Sequence, residues 1–464
     1  MAEPEDYDLV VLGSGEAGKY IAWSLAAQGK RTAVIERRYV GGSCPNIACL
    51  PSKNVIQAAK VASLVRRSGE FGITTGGWTV DMAVVRERKR KMVDGLVEMH
   101  RHKYRVSGAE LIMGSGAFVA PKTIEVNLND GGRRLLRGRD VVISTGSRAK
   151  IDETIPGLTA SRPLTHIEAL ELDQIPEHLI VLGGGYIGLE IAQAMRRLGS
   201  QVTVVERNHA LIHREDEDVT DAVGELFRDE GIEIVTGVTV SKVEGTSGKS
   251  IRVWTTNGAT ELVIEGTHLL AAGGRIPNTD GIGLQHAGVE TDGRGHIVVN
   301  ARLQTTAAGV WAVGDCAGSP YFTHIAFDDF RIVRDNLAGG QRVTTGRQVP
   351  FCLFTDPELA RIGLSEKEAL ERHIGYRKAK IPMEAALRTR TLSETRGFMK
   401  ALIGDNDQIL GFTMFGVEAG EVMAIVQVAM TAGLPYTTLR DSVLTHPTMA
   451  EGLVALFSAV AAGR

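Results

Sequence analysis

The sequence has few cysteines, little net charge and no long apolar run, and each shortage excludes a class of protein. Only 4 of the 464 residues are cysteines, so the chain is not a secreted scaffold stapled by disulfides. The 52 basic and 55 acidic residues leave a formal net charge of −3, which gives no electrostatic basis for binding nucleic acid or an anionic membrane. No apolar run approaches the length that spans a bilayer.

The remaining composition is typical of a large globular enzyme. The hydrophobic content of 43% and the charged content of 23% are ordinary, and the length suits about two to four domains. The acidic start at residues 1–6 is unlike a signal or transit peptide. The 54 glycines cluster after apolar runs, as they do in nucleotide-binding turns. We therefore expect a cytoplasmic α/β enzyme.

Two of the cysteines, Cys44 and Cys49, stand five positions apart in the segment 41–53. A glycine pair opens the turn before them, and Pro51 and Ser52 lead into an apolar helical stretch. At helical spacing the two sulfurs can face one another, and a helix N-terminus lowers the pKa of a thiol. The alternatives are buried structural cysteines or half of a zinc site, but further zinc ligands are not close by. We predict a redox-active pair and no metal site.

A dinucleotide-binding fingerprint opens the chain. The apolar run 8–12 has the length of a strand, and Gly13, Gly15 and Gly18 follow it before a helical stretch. A second strand ends at Glu36. In this pattern the glycines allow a tight turn, a close approach to pyrophosphate and helix–strand packing, while the acid accepts hydrogen bonds from ribose hydroxyls.

The same pattern returns in register later in the chain. Gly183, Gly185 and Gly188 repeat the glycine spacing, and Glu206 repeats the acid. Two fingerprints imply two dinucleotide sites, one suited to a tightly held flavin and one to a diffusible nicotinamide. Because Glu206 would repel a 2′-phosphate, we expect NADH to be favoured over NADPH. The residues expected to form this second site are Gly183, Gly185, Tyr186, Ile187 and Glu206.

Other strand ends carry small or polar residues that suit a cofactor. A carboxylate at Asp315 can hold a polar cofactor chain, and the alternative is a plain strand-end turn. The residues concerned are Thr145, Gly146, Ser147, Gly274, Arg275, Gly314 and Asp315.

Regular structure is expected between and after these motifs. The charged run 86–91 alternates with apolar residues at helical spacing, so we interpret it as a solvated helix face rather than a nucleic-acid patch. The strand-like segments are 111–126 and 134–143, which predict a small sheet, and 351–355, 398–403 and 409–417, which mark a change to an α+β pattern.

His446 is the candidate base. It precedes a proline at an expected helix start, and Glu451 can orient its ring and raise its basicity. A surface or capping role is the alternative, but a disulfide pair needs a base. The other cysteines, Cys316 and Cys352, have no cysteine neighbour, so we expect small buried hydrophobic residues there.

Taken in order, these motifs resemble those of the flavoprotein disulfide reductases, the family of dihydrolipoyl dehydrogenase, glutathione reductase and mercuric reductase. The match covers nearly the whole chain. It implies an α/β fold with two Rossmann-like dinucleotide-binding domains and a C-terminal α+β dimerisation domain. The implied domains are 1–150 for the first part of the FAD-binding domain with the redox disulfide, 151–271 for NAD(P), 272–345 for the second part of the FAD-binding domain, and 346–464 for dimerisation.

The resemblance also implies roles for the candidate catalytic residues. Cys49 would be the sulfur near the flavin, and Cys44 the outer thiol that attacks or binds substrate. In a homodimer with shared active sites, His446, oriented by Glu451, would face Cys44 of the partner subunit. There it would take the thiol proton or protonate the leaving thiolate.

FAD and either NADH or NADPH are the implied cofactors. Lys53, one helical turn past Cys49, would pair with Glu190 beside the flavin and favour its reduced, anionic form. Purely structural roles for these two residues are the alternative. Gly42 and Ser43, just before the first cysteine, join the implied FAD-binding residues, as does Lys53 itself.

The segments 322–335 and 445–451 look most like a mercuric-reductase-like subgroup that includes a bacterial reactive-chlorine-resistance flavoprotein. Ser43 stands where Thr is usual, and Ala48 where Gly is usual. The tail 456–464 has no vicinal cysteines, with which mercuric reductases capture Hg(II), and we expect no N-terminal metal-binding domain. Mercury is therefore disfavoured as the physiological substrate.

Three functions remain open at this point. The first is reduction of a disulfide or of a thiol-reactive metal ion of the Cu(II) or Hg(II) type. The second is dihydrolipoyl dehydrogenase activity, which runs toward reduction of NAD. The third is a redox sensor with slow turnover, in which NAD(P)H only resets the disulfide.

Overall fold

The structure is a computed structural model that describes residues 3–461. Residues 1–2 and 462–464, at the ends of the first and last expected domains, lie outside the described residues. The strands are β1 Glu5–Leu12, β2 Thr32–Glu36, β3 Glu110–Ala120, β4 Thr123–Leu128, β5 Arg133–Ile143, β6 Ser147–Ala149, β7 His178–Leu182, β8 Gln201–Glu206, β9 Glu233–Thr236, β10 Thr239–Thr246, β11 Ser250–Thr256, β12 Glu261–Gly266, β13 His268–Ala271, β14 Arg275–Pro277, β15 Val310–Ala312, β16 Phe351–Leu353, β17 Glu358–Gly363, β18 Arg377–Pro382, β19 Phe398–Ile403 and β20 Ile409–Gly416.

The helices are α1 Glu16–Ala26, α2 Ser43–Asn46, α3 Cys49–Arg66, α4 Met82–Ser107, α5 His166–Ala169, α6 Tyr186–Leu198, α7 Glu217–Asp229, α8 Leu284–Ala287, α9 Thr323–Leu337, α10 Glu366–Glu371, α11 Arg388–Leu392, α12 Ala419–Thr431, α13 Tyr436–Arg440 and α14 Gly452–Ser458. Short 3₁₀ turns lie at Ser68–Phe71, Gly314–Ala317 and Met383–Ala385. Among the described residues, no helix combines the length and the apolar composition that crossing a membrane requires.

The first sheet joins six strands. Its parallel part runs β3-β2-β1-β5-β15, and β4 pairs antiparallel with both β3 and β5. The strand segments that were expected to form a small sheet are instead part of this six-stranded sheet. Because β3 and β5 are each 11 residues long, one half of each continues the parallel sheet while the other half pairs with β4. The first fingerprint lies between β1 and α1, in the middle of this sheet.

The second sheet is parallel, in the order β13-β7-β8-β9. Its strand β7 is almost wholly buried, as expected for a parallel strand covered on both faces, and it leads into α6 through the second fingerprint. A three-stranded antiparallel sheet, β10-β11-β12, lies between β9 and β13 in the chain. The β-α-β arrangement of the first unit is thus repeated.

The C-terminal sheet is antiparallel, in the order β16-β17-β20-β19-β18. Sequence analysis located β16, β19 and β20 but not β17 or β18. The edge strand β18, RKAKIP, carries three basic residues, which protect an exposed edge but obscure the strand pattern. The helix expected at His446 instead begins at Gly452, because a residue that precedes proline is disfavoured in helical conformation.

The charged run on α4 is not fully solvated. Lys89 is only 1% exposed, and its ammonium group forms an ion pair with Glu171. The expectation of a purely solvated face is wrong at this position, because a buried lysine is tolerated where a carboxylate neutralises it.

Candidate active site

A cavity of about 2080 Å³ lies among the two fingerprints, the cysteine segment and the C-terminal sheet. The predicted site residues that line it are Gly15, Ser43, Cys44, Cys49, Lys53, Gly146, Ser147, Gly185, Tyr186, Ile187, Glu190, Gly274, Arg275, Gly314 and Asp315. The predicted residues outside its lining are Gly13, Gly18, Glu36, Gly42, Thr145, Gly183, Glu206, His446 and Glu451. The fold therefore brings most of the predicted site to one place.

The two cysteines are free, half-buried thiols that both line the cavity. Cys44 lies in α2, and Cys49 is the first residue of α3. The neighbouring Cys44 thiol, assisted by Thr323 and Lys53, lowers the pKa of Cys49 to about 6. The neighbouring Cys49 sulfur, together with burial, raises the pKa of Cys44. The pair is thus electrostatically unequal, with the negative charge favoured on Cys49.

The turn before the cysteines packs on the first fingerprint. Gly42 has a positive φ of 82°, and a Cβ there would lie 2.6 Å from the Cα of Gly15. Only glycine permits this approach. The segment that carries Cys44 is therefore held against the N-terminus of α1, which is a natural site for a phosphate group.

Polar groups beside this turn suit the ribityl and phosphate chain of FAD. The Ser147 hydroxyl donates to the Asp315 carboxylate and accepts from Arg275 Nε at 2.8 Å. Burial raises the pKa of Asp315. Arg275 also donates from its second guanidinium nitrogen to the Ser147 carbonyl at 2.9 Å, so these polar groups are held together at the cavity wall. The residues present fit a flavin dinucleotide.

The acids of the two fingerprints have partners within the protein. Glu36 accepts from the Ser14 backbone amide at 3.0 Å and from the Ser14 hydroxyl at 2.7 Å. Glu206 accepts from the Gly184 amide at 2.7 Å and from the Asn208 amide at 2.8 Å. Each carboxylate thus holds its own glycine loop in place. Sequence analysis expected contacts to ribose and did not anticipate these.

Space for the second dinucleotide is open at the start of α6. A Cβ placed on Gly185 would meet no atom within 4 Å, and Tyr186 and Ile187 line the cavity next to it. The free amides of this helix N-terminus suit a second pyrophosphate.

The expected contact between Lys53 and Glu190 is present. Lys53 Nζ lies 2.7 Å from Glu190 Oε2 and 4.5 Å from the centre of the Phe354 ring. Glu190 also accepts from the Phe354 backbone amide at 3.0 Å. This ion pair joins α3, which begins at Cys49, to α6, which follows the second fingerprint.

His446 and Glu451 are in contact with each other but not with the cavity of their own chain. His446 Nδ1 lies 2.9 Å from Glu451 Oε2, and the His446 side chain is 61% exposed. The expected pairing within the chain is thus present, whereas contact with Cys44 is not made inside one protomer.

Two residues at the site were not identified from sequence. Thr323, the first residue of α9, places its hydroxyl 3.3 Å from Cys49 Sγ. Cys352 was expected to be a buried hydrophobic residue, but it is half-buried and lines the cavity. Cys352 still packs against the core of the C-terminal sheet, so that expectation is met only in part, whereas Cys316 is fully buried as expected. Neither Thr323 nor Cys352 belongs to a local sequence motif, and only the fold brings these two residues to the site.

Comparison with known proteins agrees with this geometry. Residues 7–329 match the model of the pyridine nucleotide-disulphide oxidoreductases, and residues 349–457 match the dimerisation domain of the same family. The probable pyridine nucleotide-disulfide oxidoreductase RclA of Escherichia coli (strain K12) is 35% identical over 98% of this chain and 99% of its own. Its structure, described as the Cu(II) complex of an HOCl-induced flavoprotein disulfide reductase, superimposes with a TM-score of 0.88 at 34% identity, covering 98% of this chain and 99% of that one.

Two further relatives carry other activities in their names. The mercuric reductase of Staphylococcus aureus is 35% identical over 97% of this chain and 81% of its own. The dihydrolipoyl dehydrogenase of Chlamydia pneumoniae is 32% identical over 96% of this chain and 95% of its own. The resemblance and the fold class expected from sequence are confirmed. The chain belongs to the pyridine nucleotide-disulphide oxidoreductases, a family of oxidoreductases that use FAD and NAD(P)H.

Proposed function

We propose that this chain is an FAD-dependent NAD(P)H oxidoreductase that reduces a disulfide or a thiol-reactive metal ion, of the Cu(II) or Hg(II) type, through Cys44 and Cys49. The observation that carries the proposal is the position of the two thiols: both line the cavity that the two fingerprints share, and Cys49 Sγ lies 3.3 Å from the Thr323 hydroxyl. The pKa of Cys49 is lowered to about 6, while that of Cys44 is raised. These opposite directions favour a thiolate on Cys49 and a thiol on Cys44 in the reduced pair, which is the form that thiol–disulfide exchange uses.

The two sulfurs divide the work. Bound FAD would supply two-electron transfer from NAD(P)H to the cysteine pair. Cys44, once deprotonated, attacks a substrate disulfide and forms a mixed disulfide, and the first half of the substrate leaves as a thiol. The Cys49 thiolate then attacks Cys44, which closes the Cys44–Cys49 disulfide and releases the second half.

Lys53 and Thr323 support the thiolate state of Cys49. The ammonium group provides a positive charge, and the hydroxyl lies within hydrogen-bonding distance of the sulfur. Lys53 Nζ lies 2.7 Å from Glu190 Oε2. This ion pair holds the ammonium group in a fixed position near Cys49.

The proton of Cys44 requires a base, and we assign this role to His446 of the partner subunit in a homodimer. The match to a dimerisation domain supports the homodimer. Glu451 accepts from Nδ1–H of His446, so Nε2 is left to take the proton. The exposure of the ring in a single protomer supports a position in which another protomer covers it.

An acceptor screen tests the proposal. Purified holoenzyme is supplied with NADH or NADPH and with small disulfides, Cu(II) and Hg(II) in parallel. Similarity to a protein solved with Cu(II) and to a mercuric reductase supports the metal ions. Turnover with any of these acceptors supports the reductase. No turnover, with both cofactors bound, would contradict it and favour the sensor.

Dihydrolipoyl dehydrogenase is the second candidate, because relatives with that name reach 32% identity over nearly the whole chain. Its test is the opposite direction of reaction, with dihydrolipoamide as donor and NAD⁺ as acceptor. A faster rate in this direction than with every acceptor of the screen would replace the first candidate.

A further inference from the structure

Tyr186 makes two contacts outside its own helix. Its ring stacks on Phe351, with the ring centres 5.3 Å apart and the planes at 25°. Its hydroxyl donates to Glu215 Oε1 at 3.3 Å. Phe351 belongs to the C-terminal sheet, whereas Glu215 lies two residues before α7. One side chain of the cavity wall thus contacts two separate parts of the fold.

Both contacts of Tyr186 lead to Arg361, on β17. The guanidinium of Arg361 lies 3.0 Å from Glu215 Oε2 and 5.1 Å from the centre of the Phe351 ring. It also donates to Glu368 Oε2 at 2.6 Å. Glu215 is only 2% exposed, and a buried carboxylate needs such a partner to remain charged.

Tyr186 is well placed to shape the nucleotide pocket. It follows Gly185 at the start of α6, and it lies one turn before Glu190 on the same face of the helix. Tyr186 therefore belongs to the same stretch of cavity wall as Gly185 and Glu190, which also line the cavity.

We propose that Arg361 of the dimerisation domain positions Tyr186, through Glu215 and Phe351, in the wall of the NAD(P)H pocket. This inference rests on the proposed function, which assigns NAD(P)H to the second fingerprint. Arg361 is a positioning residue: it does not itself line the cavity, and it acts by holding Phe351 against the Tyr186 ring and Glu215 against the Tyr186 hydroxyl.

A second buried ion pair network joins the same two domains and provides a control. Lys400, on β19, lies 2.8 Å from Asp216, 2.8 Å from Asp218 and 2.9 Å from Glu366. The ammonium group lies between these three carboxylates, and the Lys400 side chain is only 2% exposed. Its partner Asp216 follows Glu215 in the chain, but Lys400 forms no ion pair with Glu215 and none of its ion-pair partners is Tyr186 or Arg361. We therefore expect loss of Lys400 to weaken the domain contact while the Arg361–Glu215 pair and the Tyr186 hydrogen bond remain.

The test is calorimetric binding of NAD⁺ and of NADP⁺, separately, to the oxidised holoenzyme. We expect Arg361→Met to raise the Kd of the preferred dinucleotide about three- to tenfold, which corresponds to about one net hydrogen bond. Tyr186→Phe should raise it as well, and the double variant should raise it by less than the product of the two single effects. Lys400→Met should leave Kd unchanged.

Two results would overturn the inference. One is a double variant whose Kd rises by the full product of the two single effects. The other is a rise in Kd with Lys400→Met equal to the rise with Arg361→Met.

If Arg361→Met does not fold, Glu215→Gln replaces it in the cycle, because glutamine keeps the volume and an acceptor for Tyr186 but loses the ion pair. If Lys400→Met does not fold, Lys380→Met serves as the control, since Lys380 pairs with Asp218 and is 37% exposed. If the wild-type protein binds neither dinucleotide, the proposed function itself is contradicted. If the wild type binds and the Kd is unchanged in Arg361→Met and Tyr186→Phe, only this inference is contradicted.

Discussion

Lys53 Nζ lies 2.7 Å from Glu190 Oε2, although the two residues are 137 positions apart. Lys53 stands one turn after Cys49 on α3, and Glu190 stands on the helix that follows the second fingerprint. The contact therefore ties the thiol pair to the expected NAD(P)H side of the cavity. It also places a fixed positive charge near the Cys49 thiol, and this charge helps to lower the pKa of Cys49.

Replacing Lys53 by methionine should raise the pKa of Cys49 above about 6, because a nearby positive charge favours the thiolate. The thiolate fraction of the reduced enzyme at pH 7 should fall accordingly. A pH titration of the ultraviolet thiolate absorbance measures the shift. Lys60→Met is the matched control, since Lys60 lies on the same helix and pairs instead with Asp356. Equal shifts in the two variants would contradict the assignment.

Thr323→Val should also raise the pKa of Cys49, because valine keeps the shape of threonine but removes the hydroxyl that lies 3.3 Å from the sulfur. The same titration detects it. We expect the thiolate to persist to lower pH in the wild type than in the variant. A variant with the wild-type titration midpoint would show that the hydroxyl does not stabilise the charge.

Local patterns predicted the parts of the site that are contiguous in sequence. Gly13, Gly15 and Gly18 lie between adjacent elements, so their spacing alone indicates the turn and the helix N-terminus. Thr323 could not be found in this way, because 274 positions separate it from Cys49 and a lone threonine has no recognisable pattern. Long-range contacts of this kind are set by how the sheets pack, not by local sequence.

The same distinction explains the errors in the fold. The strand segments 111–126 and 134–143 were recognised, but the pairing of their two halves with different neighbours was not, because pairing is a long-range property. Cys352 was assigned to the core from its residue type; it does pack against the C-terminal core, but it also lines the cavity, which residue type alone cannot reveal. His446 was placed at a helix start, although its backbone precedes Pro447.

His446→Ala should slow substrate reduction by about 10²- to 10⁴-fold, which is the usual contribution of general acid–base catalysis. Reduction of the flavin by NAD(P)H should change little, because the imidazole acts on the thiol side. Stopped-flow kinetics separate the two half-reactions. Glu451→Gln should show a smaller loss of the same kind, since it weakens only the orientation of the ring. A loss confined to flavin reduction would contradict this role.

NADH should give a higher kcat/KM than NADPH at one fixed acceptor concentration. Glu206 ends β8, where a carboxylate favours ribose hydroxyls and repels a 2′-phosphate, and it is held there by the Gly184 amide at 2.7 Å. Glu206→Ala should reduce the preference. Arg207 follows Glu206 in the chain, and Arg214 lines the cavity. A clear preference of the wild type for NADPH would contradict this prediction and mean that these arginines bind the 2′-phosphate more strongly than Glu206 repels it.

The central claim is that Cys44 and Cys49 carry electrons to the substrate. Its most direct test is the rate of NAD(P)H-dependent disulfide and metal-ion reduction in four single variants, Cys44→Ser, Cys49→Ser, Cys316→Ser and Cys352→Ser, each with its FAD content measured. We expect the first two variants to retain FAD and lose the activity, and the last two to keep both. Full activity in Cys44→Ser and Cys49→Ser would contradict the account.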